Sequence, residues 1–344
     1  MALNQTTTFP IVEASQVSEP RRAALALAAR LGFSDERAGR AALVVSELAT
    51  NLAKHAIRGE LLLRPIRREQ SEAQSDGIEI LSLDAGPGIP DVALSRRDGH
   101  STTGTLGHGL GTIQRQSDFF EIHTAPTGTV AMARVWRERP TAALRLPRHE
   151  VGAIQIAKSG EDLCGDDWDW RLRDERLAVM VADGLGHGAA AHEASRQAIA
   201  TFQREHELSP ARVIEDVHGA LRATRGAAVA MIAVDLDRGV ARYAGVGNIA
   251  AVIINANGTR QSLISQNGTA GHTIPRIQEY NYPVAARATL IMYSDGLGTH
   301  WDMASYPGLL NRHPSIIAAV LYRDFSRKRD DVTVVVVKER PARD

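Results

Sequence analysis

The spacing of apolar residues changes near the middle of the chain. In the first half, the alanine- and leucine-rich run RRAALALAARL predicts a helix over 20–31, ended by Gly32. Ser34 and Asp35 offer caps for a second helix over 35–57. Alternating segments predict strands over 9–13, 78–83, 120–124 and 130–136. LLLRPI reads as a strand running into a charged, Gln- and Ser-rich loop, so 59–78 resembles a hairpin. Helices followed by strands make this half α+β.

Beyond Trp136, RERPTAALRLPRHE carries two prolines and dense charge without periodicity, which predicts a linker over 138–149 between units 1–137 and 150–340. Short β-branched runs follow: VGAIQIA, RLAVMVAD, AAVAMIAVDLD, ARYAGVGNIAAVIIN, ATLIMYSD and DVTVVVVK. Most end in Asp, Gly or Asn, as strands of a layered sheet structure do. Helices are expected between them over 192–207, 210–222 and 314–325.

Composition narrows the function classes. The chain has 344 residues, 44% hydrophobic and 23% charged, which suits two globular domains. Forty basic residues balance forty acidic ones, giving no signal for nucleic acid or a membrane surface. Cys164 is the single cysteine, so no intrachain disulfide can form. The N-terminus has no signal-peptide pattern and no apolar run nears the ~20 residues of a membrane span, so a soluble, cytoplasmic protein is expected.

Two constellations carry chemistry. In SELATNLAKHA, Glu47, Asn51 and His55 recur every four residues and so share one helix face. Asp84-Ala-Gly86-Pro-Gly88 follows a strand, and Gly107-His-Gly109-Leu-Gly111 precedes a helix expected near Thr112. A strand-end carboxylate can accept from an exocyclic amine. Glycines let backbone approach phosphates, and a helix N-terminus adds N–H donors. An Asn carbonyl suits Mg²⁺, and a nearby Glu can act as a base. Together these segments resemble the GHKL ATPase/kinase family, and within it the RsbT-type switch kinases and anti-sigma factors. The resemblance implies a Bergerat-type α/β sandwich with Glu47 as catalytic base, Asn51 on Mg²⁺ and Asp84 at adenine. Gly86, Gly88, Gly107, Gly109 and Gly111 would frame the lid over ATP-Mg²⁺, with His108 a solvent-facing loop residue.

The second constellation is four aspartates beside glycine or at the ends of apolar runs: Asp166 in CGDDW, Asp183 in ADGLGHG, Asp295 in YSDGL and Asp330 in RDDVTVVVV. Converging carboxylates repel unless cations neutralise them. Hard oxygen ligands favour Mg²⁺ or Mn²⁺, and a pair of such ions can lower a bridging water's pKa. These motifs, with AGVGN, resemble the PPM superfamily of metal-dependent phosphatases, in its SpoIIE/RsbX branch. The resemblance implies an α-β-β-α sandwich with two metal ions. Asp183 would bridge them with the Gly184 carbonyl, Asp166 and Asp295 would complete one each, and Asp330 would bind at the shared site. Asp167 and Asp331 are acidic neighbours able to exchange roles with Asp166 and Asp330. Leu185 stands where a general-acid histidine occurs in other members, leaving His187 or water for that task. Lys158 is a weak stand-in for a phosphate-binding arginine. AGVGN is expected to pack beneath the site. Cys164 and the tryptophans Trp168, Trp170 and Trp301 are expected in the core.

The resemblances imply a bacterial serine/threonine phosphatase fused to an ATP-binding, kinase-like unit and acting on a phosphorylated STAS-domain partner in sigma-factor or stressosome signalling. The competing reading makes the N-terminal unit an ATP-dependent, anti-sigma-type binding module without catalysis.

Overall fold

Thr7–Ile11 (β1) opens a five-stranded antiparallel sheet in the computed structural model, which describes residues 6–67, 76–90, 109–139, 148–173, 176–205, 209–235 and 237–340. The chain divides into two compact units, Thr6–Leu146 and Pro147–Asp344. Gly59–Ile66 (β2), Gly77–Asp84 (β3), Phe119–Ala125 (β4) and Gly128–Trp136 (β5) complete the first sheet in the order β1-β2-β3-β5-β4. β2 and β3 pair antiparallel, with Ile66 opposite Gly77, as the expected hairpin requires. The expected linker lies mostly outside the described residues.

Helices Ser18–Arg30 (α1), Asp35–His55 (α2) and Gly109–Gln116 (α3) pack on this sheet. Ser34 caps α2 by accepting a hydrogen bond from the Arg37 amide at 3.3 Å. Val44, Val45, Leu48 and Leu52 form the apolar stripe of α2 and meet Leu61, Leu63, Ile78, Ile80, Ala133 and Val135 of the sheet. Because side chains recur every 3.6 residues along a helix, that stripe leaves Glu47 and Asn51 together on its flank, half-buried.

The second unit is two sheets packed face to face. One runs Tyr280–Pro283 (β13), Val240–Val246 (β10), Ala227–Asp235 (β9), Arg176–Gly184 (β8) and Asp166–Arg173 (β7). The other runs Arg260–Ser262 (β12), Ala250–Ile254 (β11), Thr289–Tyr293 (β14), Val332–Glu339 (β15) and His149–Ile156 (β6). Their inner faces make one core from Trp168, Trp170, Val179, Val181, Ile232 and Tyr243 against Ile253, Met292, Val335 and Val337.

Ala189–Arg204 (α4) and Pro210–Ala220 (α5) cover the outer face of the first sheet through Ala198, Phe202, Val213 and Val217. Pro314–Phe325 (α6), matching its expected span, covers the second sheet; Gly152 of β6 leaves room for the backbone of Ser315 in α6. The architecture is therefore α-β-β-α. No helix among the described residues is long and apolar enough to cross a membrane.

Two elements depart from expectation. α4 begins at Ala189 rather than at 192, because Gly188, at φ 72°, is the residue that turns the chain into it. DDWDWRLR, which gave no apolar run, is strand β7. Its aspartates and tryptophans alternate, so the two tryptophans fill the core while the strand still reads as polar.

Candidate functional site

Strand pairing builds the acidic site of the second unit. Asp166 begins β7 and lies directly opposite Asp183, next to last in β8. Both follow the parity of the inward-facing Trp168 and Val181, so they sit at the rim of the space between the sheets. Asp167 is opposite Ala182 on the other face, and its Oδ1 accepts from the Trp168 amide at 2.8 Å. The pleat thus sets Asp166, not Asp167, beside Asp183. From the second sheet, Asp295 follows β14 and Asp330–Asp331 precede β15. Gly296 is pressed against the Asp331 carbonyl, a fit a Cβ would prevent. Gly184 is likewise closed over by Ala191 of α4.

Neighbours fix the carboxylates. Asp166 is 1% exposed; its Oδ2 accepts from Ser294 Oγ at 2.6 Å, and Ser294 Oγ accepts from the Thr333 amide at 2.9 Å. Asp331 is 3% exposed and accepts from the Lys158 amide at 2.8 Å, so Lys158 contributes its backbone here. Asp330 is exposed and accepts from the Asp331 amide at 3.0 Å. Asn248 Nδ2 donates to Asp295 Oδ2 at 2.7 Å. This corrects the expectation that AGVGN only packs beneath the site: its glycines do pack closely, but its asparagine holds a site carboxylate. Ser294 and Thr333 adjoin the acidic motifs in sequence and Asn248 lies far from them, yet only the folded contacts show that all three reach the site.

The electrostatics are those of uncompensated negative charge. Burial, then Asp183, pushes the Asp166 carboxyl well above its usual range. Burial, then Asp295, Asp330 and Asp331, raises Asp183 to about 7. Burial and Asp330 raise Asp295, against a lowering influence from Arg327. Burial, followed by backbone hydrogen bonds that oppose it and by Asp330, leaves Asp331 raised as well. Asp166 Oδ1 and Asp331 Oδ2 are buried without a hydrogen-bond partner.

No three His, Cys, Asp or Glu side chains among the described residues are already gathered as a metal cage. The fit to hard divalent cations rests instead on an all-carboxylate donor set, mutual charge repulsion and two orphaned buried oxygens. His187 is on the loop between β8 and α4, and its Nδ1 lies 2.6 Å from Glu161 Oε1. Cys164, Trp168, Trp170 and Trp301 are buried, as expected.

In the first unit, α2 and the start of α3 approach each other. A Cβ on Gly109 would lie 3.3 Å from Asn51 Oδ1 and 3.8 Å from Glu47 Oε2, so glycine here keeps the space beside both side chains open. Asp84 ends β3 and accepts from the Gly86 amide at 2.7 Å. Gly88, at φ 80°, presses on the Ala125 carbonyl, where a Cβ would stand 2.5 Å away. Gly111 is buried in α3. Gly107 and His108 lie outside the described residues.

Comparison with known proteins divides at the same place. Residues 173–340 match the family described as Stage II sporulation protein E (SpoIIE), and residues 12–135 match the histidine kinase-like ATPase domain. The serine/threonine-protein kinase RsbT of Bacillus subtilis (strain 168) is 33% identical over 131 residues, 38% of this chain and 91% of that protein. The phosphoserine phosphatase RsbX of the same organism is 23% identical over 184 residues, 53% of this chain and 90% of that protein. A crystal structure of RsbX in complex with magnesium superposes with a TM-score of 0.51 at 21% identity, covering 57% of this chain and 98% of that one, which shows a shared fold.

Proposed function

We propose that this chain, which belongs to the histidine kinase-like ATPase family through an RsbT-like N-terminal unit and to the SpoIIE phosphatases through its C-terminal unit, is a cytoplasmic switch protein. Its C-terminal half removes phosphate from serine or threonine of a partner protein. The partner is a phosphorylated STAS-domain protein of sigma-factor or stressosome signalling, and the N-terminal half uses ATP-Mg²⁺ to phosphorylate it. The observation that supports the phosphatase reading is the pairing of Asp166 with Asp183 at the rim of the sandwich, with Asp295, Asp330 and Asp331 near enough to raise Asp183.

Two Mg²⁺ or Mn²⁺ ions would be held by Asp183, the Gly184 carbonyl, Asp166, Asp295 and Asp330, with Asp167 and Asp331 as the acidic neighbours able to take the place of Asp166 and Asp330. Bound there, the ions supply an activated water and neutralise the phosphoryl oxygens. The chain's own residues set the geometry. Ser294 fixes the Asp166 carboxylate and Asn248 fixes that of Asp295. His187, on the loop that leaves Asp183 and Gly184, would be the proton donor to the leaving oxygen, with water as the alternative. In the N-terminal unit Glu47 serves as base, Asn51 holds Mg²⁺ and Asp84 accepts from adenine. The Gly86–Gly88 turn, with Gly107, Gly109 and Gly111, frames the nucleotide.

The test is manganese-dependent hydrolysis of p-nitrophenyl phosphate. The wild-type chain is expected to turn it over, and Asp183→Ala to lose at least ~10³-fold in kcat, the scale of removing a charge-stabilising group from a reaction centre. Undiminished turnover in the variant would overturn the assignment.

A further inference from the structure

We infer that Glu161 is the positioning residue for His187, and that the two form a proton-delivering dyad for the phosphoserine leaving group. The inference rests on the phosphatase reading and goes beyond it by assigning a residue that no acidic motif contains.

Glu161 and His187 are 26 positions apart, and their contact closes two loops onto each other. The first loop spans Lys158 to Gly165. At its start the Lys158 amide donates to Asp331, and at its end it delivers Asp166. Glu161 is set in the turn within it, its amide donating to the Lys158 carbonyl at 3.0 Å. The second loop leaves Asp183 and Gly184 and carries His187 toward α4. The Leu185 amide pins it to the Gly226 carbonyl at 3.0 Å.

Gly186, at φ 93°, and Gly188, at φ 72°, flank the histidine. A Cβ on Gly188 would stand 2.9 Å from Glu161 Oε2. The turn therefore needs glycine at Gly188 for its backbone angle and also to admit the carboxylate. The two side chains remain 50% and 31% exposed, open to a phosphorylated protein approaching from solvent.

An ionised carboxylate only accepts, so Nδ1 of His187 donates to Glu161 and Nε2 is the nitrogen left to face a substrate. A carboxylate behind an imidazole fixes its ring orientation and tautomer, so that the far nitrogen is held toward a substrate. In the step proposed, a water oxygen bonds to phosphorus as the P–O bond to serine breaks. The serine oxygen takes the proton from Nε2. The neutral ring keeps its Nδ1 proton on Glu161 and regains one from solvent, balancing the proton the attacking water gave up.

The leaving group separates this role from a plain loop staple. A seryl alkoxide needs a proton; a p-nitrophenolate leaves without one. With the full chain and Mn²⁺, His187→Ala is expected to lower kcat on a phosphoserine peptide about 10²-fold. The loss on p-nitrophenyl phosphate should be at least tenfold smaller. Glu161→Gln is expected to cost about tenfold on the peptide, with the same selectivity and with KM kept. The double variant should be no slower than His187→Ala, because Glu161 acts only through the histidine. Equal losses on both substrates, or a further loss when Glu161→Gln is added to His187→Ala, would overturn the dyad and leave the phosphatase standing. A wild-type chain inert toward both substrates with Mg²⁺ and Mn²⁺ would overturn the phosphatase reading itself.

Discussion

Glu79 in the first unit and Asp166 with Asp183 in the second are buried acids under opposite regimes. Glu79, fully buried on β3, sits between Arg64 of β2 and Arg134 of β5, with Arg64 Nε 2.7 Å and Arg134 Nη2 2.6 Å from its oxygens. Burial alone would raise its pKa, but the two arginines outweigh burial and hold it at about 2. No basic side chain acts on Asp166 or Asp183 among the described residues: burial and Asp183 raise Asp166, and burial with Asp295, Asp330 and Asp331 raises Asp183. The chain neutralises its structural carboxylate with its own cations, whereas at the candidate site only Asp295 feels one, Arg327, and it stays raised. Where a fold that can place arginine beside a buried acid does not do so, the missing charge is expected from outside.

The sharpest way to break this contrast is within two adjacent residues. Asp166→Ala is expected to lower phosphatase turnover by at least ~10³-fold, whereas Asp167→Ala, on the opposite face of β7, should cost less than about tenfold. Comparable losses would show that the pleat does not select the ligand. A second measurement asks whether the N-terminal pocket is catalytic or only binds. Glu47→Ala should lose about 10²-fold or more in phosphate transfer to a STAS protein while keeping ATP affinity, and Asn51→Ala should weaken ATP-Mg²⁺ binding itself. ATP binding without transfer in the wild type would make this half a binding module.

The smallest expected effect is thermodynamic. In chelator, the folded-state pKa of Asp183, raised from 3.8 to about 7, means that its protonated form stabilises the native state. That contribution is complete below pH ~4 and is lost as pH rises through about 7. The C-terminal melting transition should therefore drop by several degrees between pH 5 and 8, and Mg²⁺ or Mn²⁺ should restore it mainly at the upper end. Glu79 has the opposite sign. Its contribution is present above its ordinary 4.5 and is lost only toward about 2, so the N-terminal transition should not move with it in this window. Calorimetry of the full chain reads both transitions at once.

Apolar runs bounded by Asp or Gly disclosed β8, β14 and β15, and with them Asp183, Asp295 and the Asp330–Asp331 pair, because strand periodicity is local information. The run DDWDWRLR did not disclose β7, since its inward tryptophans are separated by acids whose partners lie on other strands and helices. Asp169, for example, accepts from Gln203 of α4 at 2.6 Å. Asn248, Ser294 and Glu161 became visible only through contacts spanning 47, 128 and 26 positions. No spacing rule reaches such pairs, because they are set by which strands neighbour one another. In the first unit the four-residue spacing of Glu47 and Asn51 placed them on one helix face, but the approach of Gly109 to both depends on how α3 packs against α2.

The pairing of Asp166 with Asp183 has a consequence for how such a chain can change. β7 behaves as a reading frame. Inserting or deleting one residue between Asp166 and Trp168 would put the two tryptophans and the carboxylate out of phase, so that either the core or the site loses its residue. Point substitutions can be sampled along this strand one at a time, but changes of length cannot. Tolerance to insertion should therefore fall to its minimum at β7 and recover in the Asn255–Thr259 turn, where a turn closed by the Thr259 carbonyl carries no side chain of the site.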